Sequence, residues 1–243
     1  MKTTEIKSIL TYLVGAIPIG IGTTAICFLM PNGKVLKLYM NTYLKRELFY
    51  YHDMRKHLEF LNNISNESYI GPEELLIKND EVIGYIYTYI NGLELKRLKN
   101  NIRLNDIVKG YENLYNDTLK ISNNKFRLND LHQKNILFNG NYYVIDLDKG
   151  YVDNKDNKKI FDINITNINN NIINSIFDLN FFEHLSFYDD DLDKLFYSSL
   201  YENHEDFYEL LEKLFYNGIT KKDVKEKIRI YVHKKDPDYY RVI

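Results

Sequence analysis

The stretch from Arg127 to Asp148, RLNDLHQKNILFNGNYYVIDLD, constrains this chain more than any other. Asn139-Gly140 lies between two apolar runs, and both residues tolerate the positive φ that a two-residue type I′ hairpin turn demands. With those two as the turn, Phe138 faces Asn141 and Asn135 faces Val144. Asp146 is then a diagonal neighbour of Asn135, about 7–8 Å away between backbones. Two oxygen-bearing side chains at that separation can converge on one hard cation such as Mg²⁺. Asp130 sits on the loop that enters the hairpin and is free to point at a substrate instead. Asp and Asn are common in loops, so the weight rests on the ordered set with a hairpin between its members.

Upstream, Ser8 to Gly33 carries no charged residue and follows Lys2 and Lys7, the outline of a signal peptide or membrane helix. Its centre, Gly15-Ala16-Ile17-Pro18-Ile19-Gly20-Ile21-Gly22-Thr23-Thr24, is poor helix material, because Gly and Pro are costly inside helices. Two strands around a glycine-rich loop are expected there, with no membrane span. Pro31-Asn32-Gly33 gives a turn, and Lys34 to Tyr39 continues as a strand. Lys37 lies inside that apolar strand and needs an anionic partner to be tolerable. Thr42 to Asn62 reads as a helix, with Leu44, Leu48, Tyr51, Leu58 and Leu61 at helical spacing. Gly71-Pro72 breaks the chain. Leu75 to Lys78 and Val82 to Ile90 read as an antiparallel pair across Asn79-Asp80. Arg103 to Ser122 reads as a helix. Gly150 to Lys159 is polar and reads as a loop, and Asn164 to Asn174 as a loop or frayed helix. Ile172–Phe182, Leu192–Leu200, Phe207–Phe215 and Val224–Val232 read as short helices.

Taken together, these segments resemble the protein-kinase-like phosphotransferases. Their catalytic loop reads H-R-D-x-x-x-x-N and is followed by a strand pair and a D-F-G metal motif. Here the loop reads Leu128-Asn129-Asp130-Leu131-His132-Gln133-Lys134-Asn135, and the metal motif reads Asp146-Leu147-Asp148. The Asp-Leu-His opening and the second acid of Asp-Leu-Asp look more like the aminoglycoside and choline kinase branch. Gly20-Ile21-Gly22-Thr23-Thr24-Ala25-Ile26-Cys27 resembles the glycine-rich loop G-x-G-x-x-G-x-V, with Ala25 at the third glycine. Val35-Leu36-Lys37 resembles the strand whose lysine holds the α- and β-phosphates. Tyr87-Thr88-Tyr89-Ile90-Asn91-Gly92 resembles the hinge to which adenine bonds. The resemblance covers about residues 15–150 and fades after Asp148; no A-P-E motif follows, and Asn129 stands where many protein kinases have arginine.

The resemblance implies an α+β, two-lobe fold. Residues 1–90 would form a small ATP-binding lobe of antiparallel sheet with one helix, and 91–243 a larger, mostly helical catalytic and substrate lobe. Gly20, Gly22, Thr23 and Thr24 would cover the phosphates of ATP, and Lys37 would hold them. Glu47, or alternatively Glu59, would fix Lys37 from the helix. Thr88, Tyr89 and Ile90 would receive adenine. Asn135 and Asp146 would bind Mg²⁺, with Asp148 as a further metal-site ligand, and Asp130 would be the catalytic base. The acceptor implied is a hydroxyl, by preference a protein Ser or Thr. A small-molecule alcohol is the alternative, and a nucleotide-binding pseudokinase scaffold is the non-enzymatic rival.

A net charge of −2 over 243 residues gives no electrostatic case for nucleic acid as partner. The single cysteine, Cys27, rules out an internal disulfide and fits a reducing cytoplasm.

Overall fold

The computed structural model describes residues 1–40, 53–99 and 101–176, with Thr220 and Lys222. Over these residues the chain is α+β. In order it forms β1 (Lys2–Glu5), α1 (Leu10–Leu13), β2 (Ile17–Ile21), β3 (Ala25–Leu29), β4 (Lys34–Tyr39) and α2 (Met54–Ile64). Then come β5 (Glu74–Lys78), β6 (Glu81–Thr88), β7 (Leu93–Glu94), α3 (Leu104–Lys109) and α4 (Tyr111–Asn123). Finally β8 (Phe126–Arg127), β9 (Ile136–Phe138), β10 (Tyr142–Val144), β11 (Tyr151–Val152) and α5 (Asn157–Ile176) complete the described elements.

A six-stranded sheet takes the order β1-β5-β6-β4-β3-β2. Successive residues of a strand point to opposite faces, and here both faces of the central strands are covered. Leu36, Leu76 and Ile86 bury one face under Ile9, Tyr12 and Leu13 around the short helix α1. Val35, Tyr39, Leu75, Tyr85 and Tyr87 bury the other face in the core shared with Leu58 and Leu61 of α2. Burial on two sides explains why β4 reads as a nearly continuous apolar run. It also puts Lys37 on the same side as Val35 and Tyr39, inside the larger core. Lys37 is 5% exposed.

The expected β-structure in residues 8–33 is present as β2 and β3, preceded by the single turn of α1. No helix among the described residues is long and apolar enough to cross a membrane. The turn at Asn79-Asp80 joins β5 to β6 as expected, with both residues at positive φ, 52° and 62°. β1 was not foreseen. It pairs parallel to β5, and its sequence, KTTE, has no apolar alternation to betray it.

Gly84 stands opposite Leu38 where β4 and β6 pair. A Cβ added there would lie 2.2 Å from the Lys37 carbonyl oxygen, a backbone atom that cannot swing aside. Gly84→Ala is therefore expected to destabilise the protein by about 1–3 kcal/mol, the usual cost of overpacking. A lower urea midpoint would report it; an unchanged midpoint would mean that the two strands part freely at this point.

Two helical expectations are corrected and one open choice is decided. Of the helix expected over Thr42–Asn62, residues 42–52 lie outside the described residues; the described part is α2, which begins at Met54. Asp53 is extended and caps it, accepting from the amides of Arg55 (3.0 Å) and Lys56 (3.2 Å). The helix over Arg103–Ser122 divides into α3 and α4 at Gly110. A Cβ on Gly110 would lie 2.6 Å from the Gly140 carbonyl oxygen, so this break is where the helical layer meets the hairpin turn. For the asparagine-dense segment, read as a loop or a frayed helix, the outcome is helix, the 20-residue α5. Phe161, Ile165, Ile168 and Ile172 form its buried stripe at helical spacing. The loop read over 150–159 contains β11, paired with β8, and the first turn of α5. Of the short helix expected over Ile172–Phe182, residues 172–176 form the end of α5; its remainder and the helices expected over Leu192–Leu200, Phe207–Phe215 and Val224–Val232 lie outside the described residues.

Candidate functional site

Lys37 joins the sheet to the Asp146-Leu147-Asp148 segment. Its Nζ donates to Asp148 Oδ2 at 2.7 Å and to an oxygen of Asp146. The Asp148 carboxylate also accepts from Tyr39 Oη (2.9 Å) and Tyr85 Oη (2.7 Å) and is 3% exposed. Lys37 Nζ lies 5.6 Å from the Tyr85 ring centroid and 5.9 Å from that of Tyr39, within reach of the ring quadrupoles. Strand register explains the arrangement. Lys37 is directly opposite Tyr85, and Tyr39 is two residues along the same face. Burial disfavours the charge of Lys37, but the Asp148 and Asp146 carboxylates outweigh it and hold its pKa above the ordinary lysine range. Burial likewise opposes the charge of Asp148, and Lys37 with the two tyrosine hydroxyls brings its pKa below the ordinary carboxylate range. From the helix layer, His57 Nε2 lies 3.0 Å from the Asp148 carbonyl oxygen.

The loop and hairpin bring Asp130, Asn135 and Asp146 to one small recess, which all three line. The hairpin register differs from the expected one by one residue. Phe138 faces Tyr142 and Val144 faces Ile136, so three residues, Asn139 to Asn141, make the turn. Only Gly140 among them has positive φ, 107°, in place of the two positive-φ residues of a type I′ turn. The backbone oxygen of Asn135 then accepts from the Ile145 amide at 2.9 Å, which sets Asn135 beside the residue preceding Asp146. Asn135 Nδ2 donates to the Asp130 carbonyl at 3.2 Å. Asp130 (φ 57°) and Asp146 (φ 64°) are both in the left-handed region. Non-glycine residues rarely adopt it, and Asp and Asn do so at least cost. Both candidate acids thus hold backbone conformations that a packed surround must enforce.

That surround comes from α5, through the asparagines that left it open between loop and frayed helix. Asn164, fully buried, donates to the Phe126 carbonyl (2.9 Å) and Ser122 Oγ (3.0 Å) and accepts from the Leu128 amide (2.9 Å). Asn171 Nδ2 reaches the Leu131 carbonyl at 3.3 Å. Side-chain amides therefore satisfy backbone groups on both sides of Asp130. On the hairpin side, the Val144 amide donates to Ser68 O (2.6 Å) and the Ile70 amide to Val144 O (3.0 Å), tying β10 to the chain that follows α2.

Asp130 has a half-exposed carboxylate, 38% by side chain, that pairs with Lys149. Asp146 is 39% exposed by side chain. A partly solvated carboxylate beside a side-chain amide suits Mg²⁺, which keeps several waters and takes one or two carboxylates with substrate phosphates. No group of three or more His, Cys, Asp or Glu among the described residues is arranged to hold a metal by itself. Asp148, expected at the metal, instead has its carboxylate surrounded by Lys37, Tyr39 and Tyr85 in the core.

The other expected residues fall into three groups. Gly20, Gly22, Thr23 and Thr24 belong to the β2–β3 hairpin, with the Gly22 amide donating to Ala25 O at 2.9 Å and a bulge between Pro18 and Gly20. Thr88 closes β6, bonding Glu73 through its hydroxyl, and Tyr89 and Ile90 carry the chain towards β7. Glu47 lies outside the described residues. Glu59 is half-exposed and pairs with Arg55 one helical turn back at 3.1 Å, not with Lys37. Tyr39, Tyr85 and Lys149 were not anticipated. Alternation along β4 and β6 from Lys37 would have found the tyrosines; nothing in the sequence marks Lys149.

No protein-family model matches the chain, and no curated protein matches it. Among solved structures, the chain is similar to a twitchin kinase fragment of C. elegans, described as an autoregulated protein kinase with immunoglobulin domains. The TM-score is 0.41 at 16% identity, over 54% of this chain and 31% of that one.

Proposed function

We propose that this protein is an ATP-dependent phosphotransferase that moves the γ-phosphoryl group of Mg²⁺-ATP to a hydroxyl, by preference a protein Ser or Thr, in the cytoplasm. Residues 1–90 form its nucleotide-binding part and 91–243 its catalytic part. The observation that carries this is convergence. Lys37, from the sheet, meets Asp146 at the edge of the recess that Asp130 and Asn135 also line, though 109 residues separate Lys37 from Asp146.

Phosphoryl transfer asks the protein for positioning and charge neutralisation more than for covalent chemistry. Gly20, Gly22, Thr23 and Thr24 present backbone amides and hydroxyls to the phosphates, and Lys37 orients them. Thr88, Tyr89 and Ile90 bound the adenine. Asn135 and Asp146 hold Mg²⁺, which neutralises charge on the β- and γ-phosphates when bound. Asp130 takes the proton of the attacking hydroxyl as its oxygen bonds to phosphorus and the bond to the ADP oxygen breaks.

Calorimetric titration with ATP, with and without Mg²⁺, tests the assignment. The wild type should bind more tightly with the ion, and Asp146→Ala should lose that increment while keeping a cooperative unfolding transition. Identical affinities for the two proteins in both conditions would dispose of it.

A further inference from the structure

We infer that Asp148 positions Lys37 for nucleotide phosphates, so that the metal-motif loop carries an anchor of the lysine. The inference rests on the phosphotransferase reading above and changes the role of one residue within it. A lysine in an apolar core must be neutralised and aimed by a carboxylate. Glu59 of α2 is engaged elsewhere, with Arg55. Asp148 meets the requirement fully. It is buried, bonds Lys37 Nζ at 2.7 Å, and is itself oriented by Tyr39 from the lysine's own strand and by Tyr85 from the neighbouring strand β6.

The same geometry separates the two acids of Asp146-Leu147-Asp148. The left-handed backbone at Asp146 starts a single 3₁₀ turn, Leu147–Lys149, that sends Asp148 into the core and leaves Asp146 half-exposed at the recess. Asp148 is thereby given wholly to the core around the lysine, while Asp146, which also bonds Lys37, keeps a solvated face for an ion. The contribution of α2 passes through His57 to the Asp148 backbone, so the helix supports the anchor without touching the lysine through a carboxylate.

The test compares wild type, Asp148→Asn and Asp146→Ala in titrations with ATP, with adenosine, and with ATP in EDTA. Asp148→Asn is expected to weaken ATP about 10- to 100-fold, the scale of a lost charge-assisted hydrogen bond, by the same factor with Mg²⁺ and in EDTA. Adenosine, which has no phosphates, should bind it as it binds wild type. Asp146→Ala should lose only the Mg²⁺-dependent part. Tyr85→Phe removes one donor to Asp148 without changing any charge. It should show the same metal-independent pattern with a smaller loss, and it serves if Asp148→Asn does not fold. In a wild type that binds ATP, a loss in Asp148→Asn confined to Mg²⁺ conditions, or no loss at all, would overturn the anchor and leave the phosphotransferase standing. A wild type that binds neither ATP nor adenosine would overturn both.

Discussion

Asp130→Asn is expected to lower phosphoryl transfer by roughly 10²–10⁴-fold, the contribution of a positioned proton acceptor, while ATP binding is retained. Asn is nearly isosteric with Asp and tolerates the left-handed backbone at this position, so the loop held by Asn164 and Asn171 should survive. What is lost is the carboxylate that accepts the hydroxyl's proton. The resting partner of that carboxylate is Lys149, in a half-exposed ion pair. Pairs of this kind are worth at most about 1 kcal/mol, so an arriving hydroxyl can displace it. The measurement is transfer from labelled ATP, or ATP hydrolysis, by phosphatase-treated protein with a panel of protein and small-alcohol acceptors. Asn129 in the arginine position predicts activity without prior phosphorylation. Full turnover by Asp130→Asn would remove the base role, and silence of the wild type across the whole panel would favour a nucleotide-binding scaffold.

Lys37→Met should be the most destabilising single change in the site. It leaves Asp148 buried with two tyrosine hydroxyls and no cation, and breaking a buried pair in this way typically costs about 3–5 kcal/mol. That is a large share of the roughly 5–15 kcal/mol that holds an ordinary protein folded. The pH dependence follows from the two shifts. Asp148 has a lowered pKa in the folded protein. Its stabilisation is present above the ordinary aspartate range near 3.8 and is lost as pH falls through the lowered value. Lys37 has a raised pKa. Its stabilisation is complete below the ordinary lysine value near 10.5 and is lost only as pH rises through the raised value. Across neutral pH the pair therefore contributes fully. In Lys37→Met, burial dominates and favours the protonated acid. The deficit against wild type should be greatest near pH 7 and shrink towards pH ~4. Urea unfolding of both proteins across that range measures it; equal stability at pH 7 would show that Lys37 does not neutralise Asp148.

What could be read from the sequence was whatever one segment encodes by itself. The hairpin, the Asn79-Asp80 turn, the strand around Lys37 and the membership of Asp130, Asn135 and Asp146 in one recess all follow from short patterns. Contacts between distant segments were less legible. The lysine's partner lies 111 residues away in Asp148, and nothing local distinguishes an acid that enters the core from one that faces solvent. The hairpin register slipped because Asn141 joined the turn, a choice made where Gly110 packs against Gly140. Helix α5 stayed open between loop and frayed helix, because asparagine's low helical propensity argued against a firm helix. Tertiary context overrides that propensity, because Asn164 and Asn171 bond the backbone on both sides of Asp130 from within the helix.

The open sheet has consequences for how this protein behaves at high concentration. Its two outer strands, β1 and β2, are where a second chain could add by backbone pairing and begin aggregation. β1 carries Lys2 and Glu5 on that edge, and charge there opposes addition. β2 is the greater hazard, since Ile17, Ile19 and Ile21 are all exposed. Pro18 removes one amide from it, and the irregularity between Pro18 and Gly20 interrupts its regular spacing. The same proline and glycine that make the segment unfit to be a membrane helix thus keep an apolar strand edge from serving as a template for its neighbours.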